Sequence, residues 1–375
     1  MVSERLVQKW KTNCQDGTPV EVTSELFKVA MDMISLIAYG QDLDTLRNEQ
    51  NIVKKDVSTM FGYVLKRALS PLPYWKVPLI GQYIDGCGWA LSRMTKLLNS
   101  YVDQFEQKQH SLATTTTTTT TTNPENDAET VLEKMLGMLK KDDTKMKRDR
   151  MIGNLLTLFF AAIDTVSTSM SIALWKLAED NTGLQDELAQ EIIELGDSSE
   201  LSLENMNSVL PRTRSHIFEC IRVFSPSRTS FLETNKGATL GGVELPKGTK
   251  LMVMGQYASM HPEGNDTLDV PVGPNGEGND QFCPRRWLTT DENGKLSVRQ
   301  PTNSKGGYFS FGHGLRICPG KEFAEAEIAF VLAAVLQNFE ISMKPNHDKI
   351  TLVMNFVCSP DIDVELMLSP RRVEI

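Results

Sequence analysis

One turn constrains this chain more than any other stretch. It runs Phe309-Ser310-Phe311-Gly312-His313-Gly314-Leu315-Arg316-Ile317-Cys318-Pro319-Gly320 and leads into a helix-compatible run from Lys321 to Leu336. Gly312 and Gly314 permit a bulged turn, and Gly320 lets a bulky group lie flat against the backbone. Pro319 suits a first helical position, where its missing N–H costs nothing. That spacing predicts the Cys318 sulfur beside a helix N-terminus, whose unpaired N–H groups favour a thiolate. Arg316 stands two residues away, ready for an anionic group on the same ligand. A buried thiolate, a close backbone approach and a nearby cation together point to haem iron with Cys318 as axial ligand. His313 shares the turn but lacks the helix-start environment. The plainer alternative is an ordinary buried cysteine in a glycine-rich hairpin.

The order Phe311, Gly312, Gly314, Arg316, Cys318, Gly320 resembles the haem-binding signature of the cytochrome P-450 family, with every strongly constrained position filled. Upstream, Glu219 and Arg222 are three apart on a helix and share a face. Alone they would read as a solvated surface pair. Ile217, Ile221 and Phe224 make their surroundings apolar, and Phe282-Cys283-Pro284-Arg285-Arg286-Trp287 follows before the turn. This resembles the family's E-x-x-R helix, with Arg286 as the partner arginine. The resemblance implies a buried Glu–Arg–Arg cluster, structural in role, that pins the loop leading to Cys318.

Ala161-Ala162-Ile163-Asp164-Thr165 lies midway along a long apolar helical stretch. An acid and an alcohol in such a place are costly unless something uses them. The segment resembles the oxygen-activation segment of the family, which implies Thr165 guiding a relay water and Asp164 moving protons inward. Ala162 replaces the usual glycine and Val166 the second hydroxyl residue. The plain alternative bonds Thr165 to the carbonyl of Ala161 and turns Asp164 to solvent. His261-Pro262 resembles a structural histidine of the family. The family's propionate-binding arginine has its expected place at Leu232, so that contact is either absent or supplied by Arg228.

The remaining chain fits a mainly α fold with a small β portion near the C-terminus. Periodicity predicts helices over Val22–Tyr39, Asn48–Leu69, Ile84–Lys108, Ala128–Lys141, Lys147–Glu179 and Gln185–Leu195. Short β-like runs follow at Ala238–Val243 and Lys250–Met254, and Lys349–Val357 with Asp363–Leu368 reads as a terminal hairpin. Met1–Asn13 is polar and charged, unlike a signal peptide. Residues 111–125, centred on a run of threonine, read as a disordered insertion within a single domain spanning 1–375. Ile152–Ile163 contains Asn154 and ends at Asp164, too short and polar for a transmembrane segment. With 39 Lys+Arg against 48 Asp+Glu, nucleic acid is not a partner. Six cysteines without C-x-x-C spacing exclude a zinc site and a disulfide framework.

The resemblance implies a haem-thiolate monooxygenase of the P-450 fold, lacking the family's first strands, its proline-rich hinge and one propionate-binding helix. It implies haem (iron protoporphyrin IX), electrons from NADPH through a partner reductase, and an apolar small-molecule substrate. It also implies a cytosol-facing place on the endoplasmic reticulum, where the family's usual anchor would hold a longer parent chain. Two rivals stand beside it: a non-catalytic or haem-free remnant, and an isomerase or dehydratase of the same fold. The Asp164–Thr165 pair argues against the second.

Overall fold

The computed structural model describes residues 2–48, 51–77, 84–115, 130–141, 148–196, 201–262, 270–302, 307–354 and 357–372. The threonine run beyond Thr115 lies outside the described residues, whereas residues 111–115, expected to be disordered, end a helix. The chain divides into two compact units. One holds Phe27–Asp164; the other holds Ser3–Leu26 and Thr165–Ile375.

The smaller unit is helical. Most of α2 (Val22–Tyr39) is joined by α3 (Ile52–Leu69), α4 (Cys87–Thr115), α5 (Val131–Lys141) and the first half of α6 (Arg148–Ala178). Asn51 caps α3 by accepting the Val53 N–H at 2.8 Å, so the helix starts later than periodicity predicts. Between α3 and α4, the buried Asp85 carboxylate accepts from Arg67 Nε and Nη2, each at 2.7 Å, and from the Tyr74 hydroxyl at 3.0 Å. That pins the proline-rich aromatic loop the sequence placed there. Tyr39 donates to the Leu155 carbonyl at 2.8 Å and stacks near Phe159, which locks α2 to α6. Among the described residues α6 alone is long and apolar enough to cross a membrane by length and composition. Yet 61% of its apolar window is buried, as in a core helix.

The larger unit opens with α1 (Val2–Asp16), where the sequence reading saw only a polar segment. Its Leu6 and Trp10 are completely buried, and the Trp10 ring meets Phe339 at 6.5 Å. The apolar residues stand four apart, a helical period that outweighs the charged residues between them. After α6 come α7 (Leu184–Leu195), α8 (Met206–Val209) and α9 (Pro211–Val223). α9 is buried from Thr213 to Val223, charged residues included, so each of those charges needs a partner. The last helices are α10 (Gly255–Met260) and α11 (Lys321–Asn338).

The strands correct several sequence expectations. Ala238–Val243 is not one strand but most of a hairpin, β3 (Ala238–Leu240) and β4 (Val243–Leu245). Gly241 and Gly242 turn it with φ of 56° and 81°, a conformation an extended run cannot hold. β5 (Lys250–Val253) pairs antiparallel with β2 (Ser230–Glu233). The predicted terminal hairpin does not form. β9 (Leu352–Met354) pairs with β10 (Cys358–Pro360), while β11 (Glu365–Pro370) lies between β1 (Val20–Glu21) and β8 (Phe339–Met343). β8 follows α11 directly and buries Phe339 and Ile341. These partners lie far apart in sequence and were invisible to local pattern. A further hairpin joins β6 (Leu288–Thr290) to β7 (Leu296–Val298).

Candidate functional site

The site grows from one buried carboxylate. Glu219 on α9 has a side chain with no exposed surface, as do Arg222 and Arg286. Its Oε1 accepts from Arg222 Nη2 at 2.8 Å, Arg286 Nε at 3.0 Å and the Cys283 N–H at 2.8 Å. Its Oε2 accepts from Arg222 Nε and the Trp287 indole, both at 2.9 Å. One negative charge faces two positive ones, and backbone carbonyls absorb the surplus. Arg222 donates to Ser259, Asn279 and Gln281; Arg286 donates to Pro271, Gly278 and Gln281. The three residues named from sequence are thus brought together, and their remaining hydrogens hold a stretch of otherwise irregular chain. Trp287 is a member the sequence reading missed. Its signal was adjacency to Arg286, and only the fold shows the indole turned to Glu219.

An aromatic chain carries this rigidity to the cysteine turn. The Trp287 ring lies 6.1 Å from Tyr308, which lies 6.1 Å from Phe311. The stem is fixed by three more contacts. Ser310 Oγ donates to the Ile221 carbonyl at 2.8 Å, and the Cys318 N–H donates to the Phe311 carbonyl at 2.8 Å. Phe309 packs on Gly255, where a Cβ would fall 2.2 Å from Phe309 Cδ1. Gly312 and Gly314 take φ of 74° and 68°, the left-handed conformations the turn demands.

Beyond this stem the tip is open. From His313 to Pro319 every residue is exposed, Arg316 and Cys318 included, and Leu315 is fully so. The helix starts later than the sequence predicts: α11 begins at Lys321 with Gly320 in the cap position, so Pro319 is not its first residue. The hydrogen bond from Cys318 to Phe311 closes the turn. A Cβ on Gly320 would stand 4.0 Å from the Cys318 sulfur, so the glycine keeps the space beside that sulfur clear. An exposed apolar tip of Leu315, Ile317 and Pro319 around an outward cysteine fits a flat apolar ring that would cover it. By chemistry and shape these residues fit haem from its cysteine side.

Asp164 and Thr165 lie midway along the unbroken α6, both half-buried, with Ala161 exposed. Burial pushes the Asp164 carboxyl up to about 6, within reach of a proton at neutral pH. The Thr165 carbonyl accepts from Ser169 Oγ at 2.9 Å. His261 ends α10 beside Tyr257, whose ring is 5.6 Å away.

A cavity of about 650 Å³ lies within the larger unit, walled by Phe224, Met254, Met260, Leu352 and Met354. Arg228, the candidate propionate arginine, reaches it, whereas Leu232 on β2 is exposed.

The sequence profile of the cytochrome P450 family matches residues 1–362. Cytochrome P450 10 of Lymnaea stagnalis is 25% identical over 93% of this chain and 58% of its own length. Mitochondrial sterol 26-hydroxylase of Rattus norvegicus is 23% identical over 96% and 64%. The probable mitochondrial cytochrome P450 12c1 of Drosophila melanogaster is 28% identical over 66% and 44%. The chain thus spans roughly half to two thirds of the length of these relatives. The haem domain of cytochrome P450DA superposes with a TM-score of 0.76 at 18% identity, covering 99% of this chain and 72% of that one. Two of these relatives are named as mitochondrial proteins, which overturns the endoplasmic-reticulum setting expected from sequence. With the profile matched across nearly the whole chain and a P450 haem domain sharing its fold, this chain belongs to the cytochrome P450 family.

Proposed function

We propose that this chain forms the haem-thiolate part of a monooxygenase that inserts one oxygen atom from O2 into an apolar organic substrate. The observation that carries the reading is Cys318, held outward on an open apolar tip by a stem that is tied to α9 and α10. Haem, when bound, supplies the iron at which oxygen is activated, and a cysteine ligand favours O–O cleavage. The protein's part is placement and proton supply. Cys318 is the ligand, Arg316 a cation beside it, and Phe311, Gly312, Gly314 and Gly320 shape the surface the ring lies on. Thr165 and Asp164 are the proton-handling pair. The perturbed Asp164 carboxyl supports this role, since it can both hold and release a proton near neutral pH.

Electrons that begin on NADPH reach the haem through a separate donor protein. The mitochondrial relatives favour a mitochondrial setting for that partnership. Haem-loaded protein should show, when reduced under carbon monoxide, the red-shifted Soret band of a thiolate ligand. Cys318→Ser should lose it. Retention of that band in Cys318→Ser would remove the assignment. Supplying the wild type with either a flavoprotein reductase or a ferredoxin then identifies the donor class.

A further inference from the structure

A second cavity in the larger unit, of about 400 Å³, is lined by residues of α8, α9 and α11. On its wall stands a buried ion pair that is only half used. Arg214 on α9 donates from Nη2 to Glu325 Oε2 on α11 at 2.7 Å, and from Nε to Asn207 Oδ1 at 2.9 Å. Its guanidinium also lies over the Phe218 ring at 4.6 Å, which fixes its plane. The two charged side chains are only 6% and 4% exposed. Yet Arg214 Nη1 has no acceptor and Glu325 Oε1 no donor among the described residues. One wall thus offers an unmet donor and an unmet acceptor, each costly to leave buried.

The charge balance selects what can answer them. Burial pushes the Glu325 carboxyl up and Arg214 pulls it back down. An entering anion would push it up further, and an entering cation would compete with Arg214 for its carboxylate. The exposed Glu204 and Glu322 on the same wall make an anion less welcome still. A neutral group with an acceptor and a donor side by side disturbs neither charge, and a primary amide carries both on one carbon. The cavity is far larger than the roughly 30 Å³ share of one water. Leu203, Met206 and Phe218 give it apolar wall as well.

We propose that this cavity binds the primary amide of a small molecule with an apolar body, its carbonyl accepting from Arg214 Nη1 and its NH2 donating to Glu325 Oε1. The site uses none of the residues assigned to haem, so it stands or falls apart from the haem-thiolate reading.

The test titrates benzamide, methyl benzoate and benzoate against the haem-loaded chain under carbon monoxide. Met206 is buried on the cavity wall, so the nuclear magnetic resonance of its isotope-labelled methyl group, assigned with Met206→Leu, reports occupancy there. Benzamide should shift that resonance and bind about tenfold more tightly than methyl benzoate, which lacks the donor; that is the worth of one hydrogen bond to a charged group. Benzoate should bind no better than the ester. Glu325→Gln should cancel the amide's advantage, because its carbonyl keeps the bond from Arg214 and its NH2 then faces the ligand's own. A Met206 resonance that no probe moves would mean that the cavity takes water alone, and would overturn the proposal. Equal affinity for amide and ester, or a preference for benzoate, overturns it on the wild type without recourse to a variant. An amide advantage that survives Glu325→Gln overturns it too.

Discussion

Replacing Glu219 with glutamine changes almost no volume and removes one charge, which makes it the sharpest probe of this fold. The carboxylate accepts five hydrogen bonds, three at Oε1 and two at Oε2. An amide keeps one acceptor oxygen, and its NH2 group must then face either two or three buried donors. Arg222 and Arg286 also lose their shared counter-charge while remaining fully buried. Orphaned buried donors cost about 1–3 kcal/mol each, and breaking a buried ion pair from one side costs about 3–5 kcal/mol. Those two estimates describe the same loss, so about 3–5 kcal/mol is expected in total. Against a usual margin of about 5–15 kcal/mol, that is a large share of stability. Urea unfolding followed by circular dichroism measures it. The stem of the cysteine turn should loosen in parallel, seen as faster proteolysis near residue 310 and lower haem retention. A cycle with Arg286→Met isolates the charge: the double variant should be less destabilised than the sum of the singles. A loss below about 1 kcal/mol, or strict additivity, would refute the idea that this carboxylate organises the loop.

Other outcomes follow from single contacts. Gly255→Ala places a methyl 2.2 Å from the Phe309 ring and should cost about 1–3 kcal/mol, whereas Gly153→Ala, with open space around it, should not; equal effects would refute the packing argument. His216 is buried, bonded through Nε2 to the Ala173 carbonyl at 3.0 Å, and burial pushes it down to about 4. Its folded pKa is depressed below the usual 6.5, so it contributes stability above about pH 6.5 that fades as pH falls through 4, roughly 3 kcal/mol in all. His216→Asn should flatten acid unfolding between those limits, and an unchanged acid profile would contradict it. Thr165→Val should preserve haem and substrate binding while diverting reducing equivalents to peroxide, measured as peroxide formed per electron consumed.

Local sequence was enough for whatever depends on neighbours along the chain. The helices were legible because their apolar residues recur at helical spacing, and Glu219 and Arg222 were legible as a pair because three residues bring them to one face. The turn before Cys318 was legible because Gly312 and Gly314 must adopt positive φ, which few other residues tolerate. Tertiary structure decided everything whose partner is distant. Asp363 caps α2 by accepting the Thr23 N–H at 2.8 Å, 340 positions away. β11 pairs with β8 and β1 rather than with the nearer β9, because its alternating Leu366 and Leu368 bury there. Met1–Asn13 read as polar because its buried residues are few, yet Trp10 finds Phe339 across the fold. The indole of Trp287 and the open cavity around Arg228 likewise have no local signature. A side chain's direction and the charge it must answer are set by the packing of remote elements, not by spacing along the chain.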